Sequence, residues 1–154
     1  MKILLTGGAG YIGSHTAIEL INKGYDVVIA DNFYNSKPVV IDRIQEITGK
    51  RPDMYEVDVA DKAALTKVFS EQKIDSVIHF AGYKAVGESV AKPIDYYRNN
   101  IDTTLTLLEV MREFGVTKIV FSSSRLSMVF RKQFRFTKIC PPRVVQTLTA
   151  GQNI

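Results

Sequence analysis

The sequence predicts an α/β fold: a three-layer, doubly wound parallel sheet with helices on both faces. Three observations carry this prediction. Short apolar runs alternate with segments of helical periodicity as far as Ser124, the signature of repeated βαβ units. The runs are continuous, as in Val27-Val28-Ile29, which suits strands covered on both faces. A glycine-rich turn joins the first run directly to the first helical segment.

The elements follow in order. A strand over residues 2–6 leads into a helix over about 11–23, and Gly24 lies where a left-handed helix end wants glycine. A second strand over 26–30 precedes a helix over 38–48 that Gly49 terminates. A third strand at 53–57 is followed by a helix at 61–72, and a fourth strand at 75–80 by a helix at 93–114 that ends before Gly115. The fifth strand covers 117–122. Right-handed crossovers then give a doubly wound open sheet, truncated after about five strands.

Composition narrows the class. A chain of 154 residues is long enough for one domain with a core. No run approaches the ~20 apolar residues of a membrane span, and Met-Lys leads straight into Ile3-Leu4-Leu5 without a signal-peptide pattern. The lone Cys140 excludes an internal disulfide and a multi-cysteine metal site, so a reducing, cytoplasmic location is expected. The charge is uneven. Residues 1–124 hold 14 Lys and Arg against 16 Asp and Glu, a net of −2, whereas residues 125–154 hold six basic residues and no acid, a net of +6.

The turn Thr6-Gly7-Gly8-Ala9-Gly10-Tyr11-Ile12-Gly13 is a dinucleotide-binding fingerprint in the required strand–turn–helix context, which makes the sheet a Rossmann fold. Gly7 permits the tight turn, Gly10 lets the backbone approach a pyrophosphate, and Gly13 lets helix and strand pack closely. The helix start at Tyr11 and Ile12 offers free N–H groups and a partial positive charge to the phosphates. Asp31 lies 18 residues beyond Gly13, where a carboxylate accepts from adenosine ribose hydroxyls and repels a 2′-phosphate. NAD is therefore expected over NADP, with Lys37 the one opposing cation nearby. Asn32, Asn35 and Ser36 either bond the ribose or cap the helix starting near Pro38.

Further blocks resemble a known family. Besides the glycine loop and Asp31-Asn32, they are Asp58-Val59, His79-Phe80-Ala81-Gly82, Lys84-Ala85-Val86-Gly87-Glu88-Ser89, Tyr96-Tyr97 with Asn99-Asn100, and Phe121-Ser122-Ser123-Ser124. Together they resemble the UDP-galactose (UDP-glucose) 4-epimerases of the extended short-chain dehydrogenase/reductase family. The resemblance covers residues 1–124, and the block from His79 to Ser89 is its most particular part. It implies that Asp58 and Val59 contact the adenine, that Phe80, Ala81 and Gly82 line the cofactor, and that Asn99 and Ser122 lie beside it. It also implies that Lys84 bonds the nicotinamide ribose and serves the substrate side. Ser124 bonds the sugar hydroxyl that is oxidised.

The bland readings stay open beside these. Asp58 is otherwise a helix cap, Phe80 plain core, and Lys84 a solvated lysine. His79 and His15 read as packing residues, and neither is nominated as catalytic. The resemblance implies transient hydride transfer from sugar C4 to NAD, a tyrosine base with a lysine four residues later, and a C-terminal substrate domain. It further implies UDP-glucose and UDP-galactose as substrates and a homodimeric intact enzyme.

The Tyr-x-x-x-Lys pair is missing: none of the seven tyrosines has a lysine four positions on. The family continues after three serines with Ala-Thr-Val-Tyr-Gly, whereas this chain reads Arg125-Leu126-Ser127-Met128-Val129. Regrouping each codon's third base with the next codon's first two permits Ala-Thr-Val-Tyr-Gly from Ser124 to Val129. The same frame permits Thr-Asn-Pro-Tyr-Gly-Arg-Thr-Lys-His over residues 145–154, which contains Tyr-x-x-x-Lys. A one-base loss near the Ser124 codon is therefore expected, leaving 1–124 as an incomplete NAD-binding domain, 125–154 as an out-of-frame basic tail and no substrate domain. Catalysis is then abolished, and an exposed sheet edge makes the chain poorly stable.

Three competitors have their own predictions. A nucleic-acid or membrane arm would use the tail's charge, yet the tail has neither helical spacing nor interleaved aromatics, so neither partner is expected. Another extended short-chain dehydratase or decarboxylase conflicts with Gly82-Tyr83-Lys84-Ala85-Val86-Gly87. A non-catalytic NAD-binding module would bind the cofactor without turnover.

Overall fold

The computed structural model describes residues 1–122 of the chain. Five parallel strands, β1 (Lys2–Thr6), β2 (Asp26–Asp31), β3 (Asp53–Glu56), β4 (Ser76–His79) and β5 (Ile119–Phe121), form one sheet in the order β3-β2-β1-β4-β5. The helices are α1 (Tyr11–Asn22), α2 (Val39–Thr48), α3 (Lys62–Glu71), α4 (Val86–Ala91) and α5 (Pro93–Glu113). The fold is the expected doubly wound Rossmann sheet, and its strand order reverses at β1.

Period-two alternation within the apolar runs sorts side chains onto two cores. Ile3 and Leu5 of β1 join Val27 and Ile29 of β2 beneath α1 and α2, with Ala17, Ile21, Ile41 and Ile44 from the helices. Leu4, Val28, Ala30 and Val77 face the other way, where Leu65, Val68 and Phe69 of α3 meet Leu107, Val110 and Met111 of α5. Burial on both faces is why the strands read as unbroken apolar runs.

Local chemistry sets the helix ends. Asp61 caps α3 by accepting from the amides of Ala63 and Ala64, a bond pair that satisfies orphan donors. Pro93 opens α5, where its missing N–H costs nothing. Gly49 closes α2 in the left-handed region at φ 72°. The one helix absent from the sequence reading is α4. It has six residues, includes Gly87 and shows too little of a period to be recognised.

β5 pairs with β4 in parallel, and among the described residues no strand pairs with its other side. Val120 and Phe121 there are exposed. No helix among the described residues is long and apolar enough to cross a membrane.

Leu4 sits in the central strand and is fully buried. Leu4→Ala is expected to lower stability by about 2–5 kcal/mol, measured as a lower midpoint of urea unfolding.

Candidate functional site

The loop after β1 turns sharply at Gly7, whose φ is 69°. A Cβ there would meet the Ala81 amide nitrogen at 2.7 Å, so the residue is glycine for both conformation and space. Gly10 is the N-cap of α1 and brings no side chain to cap it. The first amides of a helix have no intrahelical acceptor, so α1 presents unsatisfied donors and its positive dipole end. Gly13 was expected to bring helix against strand. The close approach is instead to the loop itself, because a Cβ on Gly13 would lie 2.5 Å from the Gly7 carbonyl oxygen and 2.7 Å from the Gly8 Cα.

Asp31 at the end of β2 is almost fully buried. Its Oδ2 accepts from the Ala9 amide at 2.9 Å, and its Oδ1 from the Phe33 amide at 2.9 Å and the Ser36 hydroxyl at 3.0 Å. A carboxylate offers about four acceptor positions, so capacity remains after these three bonds. Asn32 accepts from the Tyr34 amide at 3.1 Å and donates toward Asp58 Oδ2 at 3.5 Å. Neither it, Asn35 nor Ser36 caps α2, whose N-cap is Pro38 without a side-chain bond. Asp58 likewise does not cap α3; it accepts from the Ala60 amide at 2.9 Å in a local turn.

These groups converge on one cleft with a cavity volume of about 340 Å³. It is lined by Gly7, Gly10, Tyr11, Ile12, Gly13, Asp31, Asn32, Asn35, Ser36, Asp58, Val59, Phe80, Ala81, Gly82, Lys84 and Asn99. Every cofactor-binding residue singled out from the sequence is there except Ser122. The Ser122 amide donates to the His79 carbonyl, which continues the β4–β5 pairing, and the residue lies off the cleft wall. Ser124 and the whole 125–154 tail, with Cys140, lie outside the described residues.

Sequence reasoning missed Tyr34, Tyr83 and Asn100. Tyr34 and Tyr83 also line the cleft. Asn100 accepts from the Tyr83 amide at 2.7 Å and donates to the Tyr83 carbonyl at 3.1 Å, which pins the loop carrying Lys84. The adjacent pair Asn99-Asn100 was visible, yet nothing in one sequence separates the residue that lines a cleft from the one that holds its wall.

Lys84 lines the cleft, and partial loss of hydration lowers its pKa. Burial raises the Tyr83 phenol, aided by Tyr34 and neighbouring acids. His79 is the interior histidine expected: its Nδ1 shares a 2.6 Å hydrogen bond with the Thr6 hydroxyl, and its Nε2 faces Thr104 at 3.4 Å. Among the described residues no group of His, Cys, Asp and Glu could hold a metal ion.

A parallel sheet reversing at β1, an uncapped helix start at that reversal and an acid closing β2 define the class of Rossmann-type α/β proteins with a nucleotide cleft. The chain belongs to the NAD dependent epimerase/dehydratase family, whose model matches residues 3–139. The UDP-glucose 4-epimerase of Bacillus subtilis is 57% identical over 124 residues, covering 80% of this chain and 37% of that protein. The mouse UDP-glucose 4-epimerase is 54% identical over 129 residues, with the same two coverages. The Bifidobacterium longum UDP-glucose 4-epimerase, crystallised with NAD+ and UDP, matches with a TM-score of 0.87 at 54% identity, over 92% of this chain and 42% of that one. The chain thus spans little more than a third of the curated relatives it matches.

Burial pushes the His79 pKa from 6.5 down to about 4, with the Lys84 charge adding to the effect. Between those values the unfolded chain binds a proton that the folded chain refuses, so stability is complete above pH 6.5 and falls as pH drops toward 4. The expected loss is about 3 kcal/mol. Chemical unfolding at stepped pH checks this: His79→Gln flattens that part of the profile.

Proposed function

We propose that this chain is the cofactor-holding part of a UDP-glucose 4-epimerase, with NAD as cofactor and UDP-glucose and UDP-galactose as the sugar nucleotides of the whole enzyme. The observation that carries the reading is the uncapped start of α1 opening into the cleft that Asp31 also lines. Such a start is a ready anion site, and the crowding around Gly13 keeps the backbone close enough to serve it.

Each residue then has a task. The amides of Tyr11 and Ile12 take the pyrophosphate. Asp31, with its spare acceptor capacity, takes the adenosine ribose hydroxyls and disfavours a 2′-phosphate. Asn32, Asn35 and Ser36 complete that wall, with Ser36 acting through its bond to Asp31. Asp58 and Val59 hold the adenine, Phe80, Ala81 and Gly82 exclude water along β4's end, and Asn99 lies beside the cofactor. Lys84, partly dehydrated, bonds the nicotinamide ribose, and Ser124 the sugar hydroxyl. NAD, when bound, supplies a hydride acceptor for the sugar's C4.

The chemistry also needs a base, and no Tyr-x-x-x-Lys occurs in the 154 residues. The chain as it stands is therefore proposed to hold the cofactor without turnover. Residues 1–124 form the NAD-binding unit, and residues 125–154 are read as an out-of-frame tail rather than a nucleic-acid or membrane arm. The shift in charge and the two family motifs recovered in one alternative frame support this. The intact enzyme is proposed to be a cytoplasmic homodimer.

Titration of the purified chain with NADH and NADPH, followed by nicotinamide fluorescence, is expected to show binding at least tenfold tighter for NADH. Gly13→Val abolishes that binding, and Asp31→Asn narrows the preference. Equal affinity for both nucleotides, or none for either, would refute the cofactor assignment. Resequencing the coding DNA across Ser124 is expected to reveal one additional base, and an intact frame ending at Ile154 removes the frameshift. Chromatography of UDP-glucose incubated with the chain and NAD is expected to yield no UDP-galactose.

A further inference from the structure

We propose that Tyr34 and Tyr83 form an aromatic latch that bridges the two walls of the cleft and retains the dinucleotide. Tyr34 belongs to the loop after β2 and Tyr83 to the loop after β4. These strands flank β1 on opposite sides, so the loops stand on either side of the strand-order reversal where the glycine loop begins. Both tyrosines line the cleft. Their ring centroids are 4.9 Å apart with 31° between planes, inside the range of favourable aromatic pairs. The contact joins walls that no backbone ladder connects.

Both partners are held for this contact. Asp31 and Asn32 accept the amides of Phe33 and Tyr34, and Phe33 adopts a left-handed conformation at φ 55°, uncommon for a residue with a bulky side chain. On the other wall Asn100 clamps the Tyr83 backbone at both its N–H and its C=O. The Tyr83 ring also leans on buried Tyr96 at 5.2 Å, and Tyr96 donates to Glu88 at 2.9 Å. Tyr34 itself is more than half exposed. One ring is thus anchored in the fold and the other rides on a surface loop, as a closure that must open to admit a ligand requires. Separation of the rings loosens the cleft wall, so the stack governs release of the ligand more than the contacts it makes once bound.

This rests on the proposal that the cleft holds NAD. The test is stopped-flow release of NADH from the full chain, chased with excess NAD, for Tyr34→Ala, Tyr83→Ala, the double variant and the Phe variants. Each alanine variant is expected to release NADH about three- to tenfold faster, and the double variant no faster than either single one. Tyr34→Phe and Tyr83→Phe keep the rings and are expected to release at the wild-type rate. Far-ultraviolet circular dichroism of each variant, matched to wild type, ties the rates to folded protein; Tyr34→Leu or Tyr83→Leu, which also removes the ring and carries the same expected and overturning outcomes, replaces an alanine variant that unfolds. Unchanged release in the alanine variants, or effects that multiply in the double variant as for two independent contacts, would overturn the latch while leaving the cofactor reading intact. A wild-type chain that binds no NADH overturns both.

Discussion

The carboxylate of Asp31 accepts hydrogen bonds from the glycine loop through Ala9, from the turn after β2 through Phe33, and from the Ser36 side chain. A buried carboxylate is tolerated only when its acceptors are met, and each charge-assisted bond contributes about 1.5–3 kcal/mol. These bonds fix how the end of β2 sits against the start of α1. The N-terminus of α1 opens into the cleft because that junction is held. The same group that shapes one wall keeps acceptor capacity beside the cleft, where the proposed ribose contact would fall.

The opposite wall is built by different means. His79 at the end of β4 is neutral and bonded to Thr6, which ties β4 to β1 without placing a charge in the core. Beyond it, Asn100 of α5 holds the loop at Tyr83 by two backbone bonds. Gly7 lets the first loop press against Ala81 in that segment. The cleft is therefore a space between two independently braced loops, with the backbone of a third forming its floor.

Much of the site was legible in advance because its residues act through backbone geometry that the chain writes locally. A glycine at a left-handed turn, an uncapped helix start and an acid at a strand end all announce themselves by position. Ser122 is the one expected cofactor-binding residue outside the cleft lining among the described residues; its amide pairs with β4 through the His79 carbonyl. Asp58 also reads as a helix cap, and the structure removes that reading because Asp61 takes the role three residues later. The short α4 was missed because six residues give no measurable period.

Hydrophobic periodicity and glycine placement settled the α/β class and the order of the strands and of every helix except the short α4. These are properties of neighbours along the chain, where sterics and burial act over a few residues. Which residues from distant segments touch was settled by the packed sheet alone. Tyr34 and Tyr83 meet across β1, and Asn100 reaches back 17 residues to hold a loop. Contacts of that kind depend on where the strand order reverses, because the reversal brings the ends of β2 and β4 to opposite sides of one crevice.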